Sequence, residues 1–220
     1  MAREKVVSSG KCSLCGGVFD KSVMATHLRS CRKRQPVLEK SKKTAVFHLL
    51  VEGRYQPDYW MHLEIPANAM LDTLDRLLRD TWLECCGHMS EFEIQGTRFT
   101  VEPMEVDDEG MDVKLEDVLE PKMVFLHAYD FGSTTNLKLK VISEHENART
   151  DRKVHILARN EPPVIPCGGC GKPATQICME CSYSAEGWLC DACAGDHECG
   201  EEAFLPVVNS PRTGVCGYAG

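Results

Sequence analysis

The distribution of cysteines constrains the fold of this chain more than any other feature of its sequence. Thirteen cysteines occur among 220 residues, and from Cys167 onward three CxxC pairs follow one another closely. An odd number excludes complete pairing in disulfide bridges. The sequence has no apolar run of signal-peptide or membrane-spanning length, so we expect a cytoplasmic protein without membrane contact. In that reducing compartment, closely spaced cysteines are more often zinc ligands than disulfides.

The first group of cysteines has the ligand spacing of a small zinc finger. Cys12 and Cys15 form a CxxC pair, and His27 and Cys31 stand four residues apart, which places both on one face of a helix. The segment resembles the Cys-Cys-His-Cys finger family, whose members bind nucleic acid or protein. A unit this short cannot fold by apolar burial alone, so we expect zinc to supply its stability.

The second group contains nine candidate ligands for two four-coordinate zinc sites, namely Cys167, Cys170, Cys178, Cys181, Cys190, Cys193, His197, Cys199 and Cys216. The pattern resembles the cross-braced zinc modules of the B-box and MYND types, in which alternate ligand pairs share a metal. That resemblance implies one site formed by Cys167, Cys170, Cys190 and Cys193. It gives the second site Cys178 and Cys181, completed by two residues among His197, Cys199 and Cys216.

A sequential topology, with Cys167, Cys170, Cys178 and Cys181 around one metal, is the alternative to cross-bracing. In both topologies each zinc has four protein ligands and no open coordination position, which is typical of structural rather than catalytic sites. Together with the finger, these sites predict about three zinc ions per chain.

Residues 44–160 carry the signals of a two-layer α+β domain. We expect a strand at 44–53, a strand at 60–66 with one buried face, and an amphipathic helix over 69–83. On the outer face of this helix, Asp72–Arg76 and Asp75–Arg79 are expected to form i,i+4 pairs. Further elements are predicted in order along the chain: strands at 91–94 and 98–101, an exposed acidic loop at 102–112, a short helix at 113–120, a hairpin at 122–142 turned around Gly132, and a strand at 154–158.

The predicted organisation places small zinc-stabilised modules at both ends of this α+β domain. Its parts are a finger at 1–34, a basic linker at 35–43, the α+β domain at 44–160 and a binuclear zinc module at 161–220. The linker assignment rests on Pro36 and a run of cations, and three prolines in 159–167 disfavour helix at the second boundary.

Two strings of the middle domain carry a family resemblance. HMSEFEIQG (88–96) and AYDFGST (128–134), preceded by a PANAMLDTLDRLLRDTW helix, resemble the Ri-plasmid open-reading-frame-three-like family, also labelled TnpR-like. The resemblance implies an α+β domain with no established reaction and an association with transposons. Ser90 departs from the family pattern, since it stands where the family has a second histidine.

Several reactive side chains of the middle domain invite a catalytic interpretation that we do not favour. His88, Glu91 and Asp130 are candidates for a shared polar or metal site, but such residues in β-domains more often fix turns by hydrogen bonds. Cys85 and Cys86 are interpreted as buried thiols at a helix end, because nothing near them in sequence lowers a thiol pKa. We therefore expect no enzymatic activity.

Charge separates the regions of the chain. Residues 1–43 hold 11 Lys and Arg against 3 Asp and Glu, whereas residues 161–220 hold 2 against 8. An acidic end module favours a protein partner and repels nucleic acid. The expected function is a non-enzymatic protein-interaction adaptor. The alternative is a nucleic-acid-associated regulator linked to mobile elements, which binds phosphates through Lys21, Arg29, Arg32, Lys33 and Arg34.

Overall fold

The computed structural model describes residues 8–33, 44–103, 106–147 and 153–220. The chain divides into two compact units, each described by itself below. Unit 1 comprises Met1–Leu77 and Met89–Glu161, and unit 2 comprises Leu78–His88 and Pro162–Gly220. The predicted basic linker at 35–43 lies outside the described residues.

Unit 1 is built on one sheet of ten strands, in the order β2-β1-β10-β4-β3-β9-β8-β5-β6-β7. Neighbouring strands are antiparallel, except β6 and β7, which are parallel. The strands are β1 (Ser9–Cys12), β2 (Val18–Asp20), β3 (Thr44–Gly53), β4 (Trp60–Pro66), β5 (Ser90–Ile94), β6 (Thr97–Thr100), β7 (Asp108–Gly110), β8 (Val124–Tyr129), β9 (Thr135–Asn147) and β10 (His155–Asn160). The fold is thus rich in strands, as the sequence predicts.

Most predicted strands occur where the alternation of apolar residues places them. The segments at 44–53 and 60–66 coincide with β3 and β4, and the predicted hairpin is formed by β8 and β9. The acidic segment at 102–112 differs from its prediction as a loop, because Asp108–Gly110 pairs with β6 as a short edge strand. Backbone pairing there does not depend on an apolar pattern, so the sequence gives no signal for it.

The predicted helix at 69–83 consists of two helical segments. Its α-helical part, Leu71–Leu78, continues directly as a π-helical turn, Arg79–Leu83. The predicted apolar stripe is fully buried, from Leu71 to Trp82. Asp75, expected on the outer face, is instead buried, and one of its carboxylate oxygens lies 2.8 Å from Nε2 of the buried His127 on β8.

The remaining helices of unit 1 are short, and α1 belongs to the predicted finger. In chain order the helices are α1 (Lys21–Ser30), α2 (Leu71–Leu78) and α3 (Leu115–Val118). The two buried residues of α1, Met24 and Leu28, join an apolar cluster with Trp60 on β4 and with Leu157 and Ala158 on β10.

That cluster explains why the expectation of a half-buried β4 is wrong. Every residue of Trp60–Pro66 is buried, including Trp60, His62 and Glu64 on the face expected to meet water. The finger covers part of this face: β1 pairs with β10, and the indole Nε1 of Trp60 donates to the hydroxyl of Ser8 at 2.8 Å. The apolar alternation of β4 therefore assigns its side chains to the correct faces. It does not predict that the second face is also covered.

Unit 2 contains a small antiparallel sheet, one short α-helix, the π-helical turn Arg79–Leu83 and two 3-10 helices, Ala185–Gly187 and Glu201–Ala203. The sheet order is β12-β11-β13, with β11 (Gln176–Cys178), β12 (Trp188–Leu189) and β13 (Phe204–Pro206), and the helix is α4 (Asp191–Gly195). The apolar cluster beside this sheet has only Cys167, Leu189 and Cys190 as buried members, with Cys193, Ala194 and Phe204 packed against it. Half of these residues are candidate metal ligands.

Among the residues described, no helix combines the length and the apolar character that crossing a bilayer requires. Within the described ranges, the longest α-helix is α1, with ten residues.

Candidate functional site

The four predicted ligands of the finger converge on one point. Cys12 ends β1, Cys15 lies in the turn before β2, His27 is in the last turn of α1, and Cys31 follows that helix. Their donor atoms all lie within 4.8 Å of one another. The Phe19 ring stacks on the His27 imidazole with centroids 3.7 Å apart, which fixes the ring plane.

Backbone geometry prepares Cys15 to act as a thiolate ligand. The backbone N–H of Gly17 donates to its sulfur at 3.4 Å, and this hydrogen bond lowers the pKa of the Cys15 thiol. The thiolate is the form that binds zinc. Its sulfur lies 3.5 Å from Nε2 of His27.

In unit 2 the CxxC pairs combine in the cross-braced order. Cys167 and Cys170 meet the third pair across the module, with the sulfurs of Cys170 and Cys190 3.6 Å apart. The first group is Cys167, Cys170, Cys190 and Cys193, and the second group is Cys178, Cys181, His197 and Cys199. The sequential arrangement of the first two pairs around one metal is not the one observed.

The structure also selects among the three residues left open for the second site. The sulfur of Cys181 lies 3.5 Å from Nε2 of His197 and 3.9 Å from the sulfur of Cys199. Cys216 is not a member of this group, although the sequence counts it among the candidates. It lies instead with Cys85, Cys86 and His88, in a fourth group that the sequence does not predict.

The spacing of the donor atoms fits a tetrahedral zinc ion. Zn–S bonds of about 2.3 Å at tetrahedral angles separate two sulfurs by about 3.8 Å, and a sulfur from a histidine nitrogen by about 3.5 Å. The observed distances within the three predicted groups are 3.6 and 3.9 Å between sulfurs and 3.5 Å between sulfur and nitrogen. All thirteen cysteines are free thiols, so none is withdrawn from ligation by a disulfide.

Electrostatics within the first cross-braced group favours a bound cation. The backbone N–H of Cys190 donates to the sulfur of Cys167 and lowers the pKa of that thiol to about 6. The thiol of Cys193 donates to Cys170 and Cys167, which raises its pKa to about 12. Four sulfurs at this spacing resist full ionisation because their charges repel, and a divalent cation removes that repulsion.

The polar residues of the middle domain have separate partners. Glu91 pairs with the guanidinium of Arg98 at 3.0 Å. Asp130, whose φ of 65° lies in the left-handed region, accepts hydrogen bonds from the backbone N–H groups of Gly132 and Ser133. His88 belongs to unit 2 and lies with the fourth cysteine group. The turn-fixing interpretation therefore describes Asp130.

The interpretation of Cys85 and Cys86 as buried thiols is wrong for Cys86, which is exposed, and Cys85 is only half-buried. Two signals in the sequence point to their real position. Cys85, Cys86 and His88 already have ligand-like spacing, and Cys216 is the one surplus candidate of the end module. Their separation of well over a hundred residues along the chain hides the connection.

The sheet of unit 1 and the clustered Cys/His groups define a strand-rich protein with several candidate metal centres. The family model described as plasmid pRiA4b ORF-3-like protein matches residues 45–177. The chain belongs to this family, as the resemblance of residues 88–96 and 128–134 predicts. The finger ligands and all unit 2 ligands after Ile177 lie outside the matched region.

Among the solved structures that match the chain is one that is similar over part of its length. It is the crystal structure of a protein of unknown function, MM3350, from Methanosarcina mazei Go1, with 18% sequence identity and a TM-score of 0.47. The similarity covers 53% of this chain and 69% of that one. None of the curated proteins compared with the chain matches it.

Proposed function

We propose that this protein is a non-enzymatic, multi-zinc adaptor that binds a basic protein partner through unit 2. The distribution of charge on the surface of residues 162–220 carries the proposal. All seven carboxylates of this segment are exposed, namely Glu180, Glu186, Asp191, Asp196, Glu198, Glu201 and Glu202. Of its two cations, Lys172 is exposed and Arg212 is fully buried.

This surface suits a protein partner rather than a nucleic acid. Clustered carboxylates repel phosphates and attract lysine and arginine side chains, which also accelerates association. Apolar groups are available for contact as well, since Tyr183 is 99% exposed and Val164 is 78% exposed. An exposed aromatic side chain on an acidic segment is suited to a protein-binding patch.

Zinc has a structural role in this proposal. Each predicted group supplies four protein ligands, which leaves no coordination position for water or substrate. Cysteines grouped at metal-ligand spacing fit a reducing compartment such as the cytoplasm. The middle domain acts as a scaffold of the two-layer α+β class, with α2 packed on the sheet through its buried leucines and the Asp75–His127 pair.

The adaptor proposal is tested by reversing charge on unit 2. The variant Glu186→Lys with Glu202→Lys is compared with the intact protein and with Asp117→Lys plus Glu120→Lys. The control makes the same change in net charge at exposed positions of unit 1. Proteins captured from a cell extract at physiological salt are quantified by mass spectrometry.

We expect the unit 2 variant to lose, by tenfold or more, basic partners that the control retains. Equal capture by all three proteins, or capture that survives removal of zinc from unit 2, contradicts the proposal. Zinc content and amide exchange of each variant establish that the fold is intact.

A second candidate function, weak binding of nucleic acid, is supported by the exposed cations of the finger. Arg29, Arg32 and Lys33 are all exposed at the end of α1, whereas Lys21 is engaged by Glu52 at 2.6 Å. Arg34 lies outside the described residues. Replacing Arg29, Arg32 and Lys33 with glutamine should abolish salt-sensitive retention on a nucleic-acid column. No retention of the unmodified protein near physiological salt contradicts this candidate.

A further inference from the structure

Four side chains of unit 2 that lie outside the three other zinc groups lie together as a ligand set. The sulfur of Cys86 lies 3.7 Å from that of Cys85 and 3.8 Å from that of Cys216. Nε2 of His88 lies 2.9 Å from the sulfur of Cys86 and 3.2 Å from that of Cys216. All four donor atoms lie within 4.8 Å of one another, and the sulfur separations match those of a tetrahedral zinc ion. The two nitrogen–sulfur distances are shorter than the roughly 3.5 Å of such a site, so the His88 ring must move outward when zinc binds.

The segment before this group is folded so that three ligands come from one short turn. The π-helical turn ends at Leu83 and is followed by Glu84, whose carboxylate accepts from the backbone N–H of Gly87 at 2.6 Å and pairs with Arg79. Gly87 has a φ of 78°, a conformation that a larger residue adopts only with strain. This reversal directs Cys86 and His88 toward the same point.

Cys216 reaches that point from an unusual backbone conformation. Its φ is 50°, and Gly217 follows with a φ of 69°. A non-glycine residue in the left-handed region costs free energy and persists where its surroundings determine it, which is frequent at ligand sites. Tyr218, which is buried, closes the turn by donating its N–H to the carbonyl of Val215 at 3.0 Å.

Hydrogen bonds already hold the two segments together beside the group. The hydroxyl of Ser210 donates to the carbonyl of Trp82 at 2.6 Å. The fully buried guanidinium of Arg212 donates to the sulfur of Cys85 at 3.4 Å. A donor aimed at a cysteine sulfur orients it as metal ligands are oriented by their neighbours.

We propose that Cys85, Cys86, His88 and Cys216 form a fourth metal site, which binds zinc through three thiolates and one imidazole and fastens residues 207–220 to Leu78–His88. The site differs from the other three in its exposure, because Cys86 and Cys216 are both exposed. Chelators and competing thiols therefore reach it first. The proposal does not depend on the adaptor function, since it concerns metal content alone.

The decisive measurement is the zinc count of the full chain by native mass spectrometry, with total metal analysis as a second measurement. We expect four zinc ions in the unmodified protein and three in each of the variants Cys86→Ser and Cys216→Ser. The matched variants His88→Gln and His155→Gln separate ligation from general loss of a histidine, because His155 belongs to none of the four groups. The first should bind three ions and the second four.

Three ions in the unmodified protein overturn the proposal, as do four ions in both cysteine variants. Both cysteines are exposed, so serine at either position should leave the buried core intact, and amide exchange of unit 1 verifies this. Stepwise addition of a chelator gives an independent measurement. The first ion released from the unmodified protein should be the one that Cys216→Ser lacks, and its release should increase exchange only within 207–220 and 78–88.

Discussion

The two ends of this chain use similar ligands in different settings. The finger contributes β1 and β2 to a ten-stranded sheet and shares an apolar cluster with Trp60, Leu157 and Ala158. The cross-braced module has a sheet of three short strands and a cluster in which ligand cysteines are half of the members. A metal bound by the finger would reinforce a packed core, whereas metals bound by the cross-braced module would largely replace one.

The comparison predicts that the two ends respond differently to zinc removal. We expect a strong chelator to unfold residues 162–220, because an apparent binding free energy of about 10–16 kcal/mol per structural site far exceeds what so small a cluster provides. The pairing of β3, β4, β8 and β9 should survive. Hydrogen exchange with mass spectrometry measures both regions in one sample, and equal loss of protection in both contradicts the distinction.

Truncation of Trp60 tests the other half of the comparison, which is that the finger shares the core of unit 1. Trp60 is fully buried between β10 and the finger helix α1, so Trp60→Ala should lower the free energy of unfolding of unit 1 by about 3–5 kcal/mol. The zinc content of unit 2 should not change. A denaturant titration followed by exchange of β3 and β4 measures the effect, and a loss below 1 kcal/mol means that the finger does not share the core.

Protonation of His62 at acidic pH tests whether the finger covers the second face of β4. Burial, with a smaller effect of the Lys21 charge on α1, lowers the pKa of His62 to about 4, below the value of 6.5 for a free histidine. As the pH falls, His62 of the unfolded chain therefore binds its proton at a higher pH than His62 of the folded chain. Stability from this residue is complete above about pH 6.5 and declines toward pH 4, by about 3 kcal/mol in total.

The carbon chemical shift of the His62 ring, followed by NMR from pH 7.5 to 4, measures the protonation of His62 directly. It distinguishes this protonation from that of the zinc ligands. The ring should remain neutral at pH 5.5. A midpoint near 6.5 would show that the face of β4 beneath the finger is open to water.

The smallest expected effect concerns Gly10, where β1 pairs with β10. A Cβ at Gly10 would lie 2.5 Å from the carbonyl oxygen of Arg159 and 2.5 Å from the Trp60 ring. Gly10→Ala should therefore destabilise unit 1 by about 1–3 kcal/mol. Gly195→Ala, at the end of α4 with nothing within 4 Å, is the matched control and should leave the thermal midpoint unchanged.

The parts of the structure that the sequence predicts are those set by local spacing. The alternation in 44–53 and 60–66 gives β3 and β4, and the interval between His27 and Cys31 gives a helix with both ligands on one side. The cross-braced pairing follows from the order of the CxxC pairs once their family resemblance is used.

The parts that escape prediction depend on distant residues. Burial of the second face of β4 requires α1, and Cys216 joins Cys85, Cys86 and His88 only in three dimensions. The outer position expected for Asp75 fails because His127 on β8 offers a buried partner. None of these contacts leaves a periodic signal, because each partner lies on a different element.

The pairing of β1 with β10 makes docking of the finger a late step in the folding of unit 1. Gly10 pairs with Asn160. Strand β1 is therefore synthesised long before β10, and it can pair with β10 only after nearly all of unit 1 has been synthesised. The pairing of β1 with β2 and the packing of α1 are local and can form at once around zinc. During synthesis the finger is therefore a preassembled piece with an open strand edge, and its docking is a late, long-range step of folding.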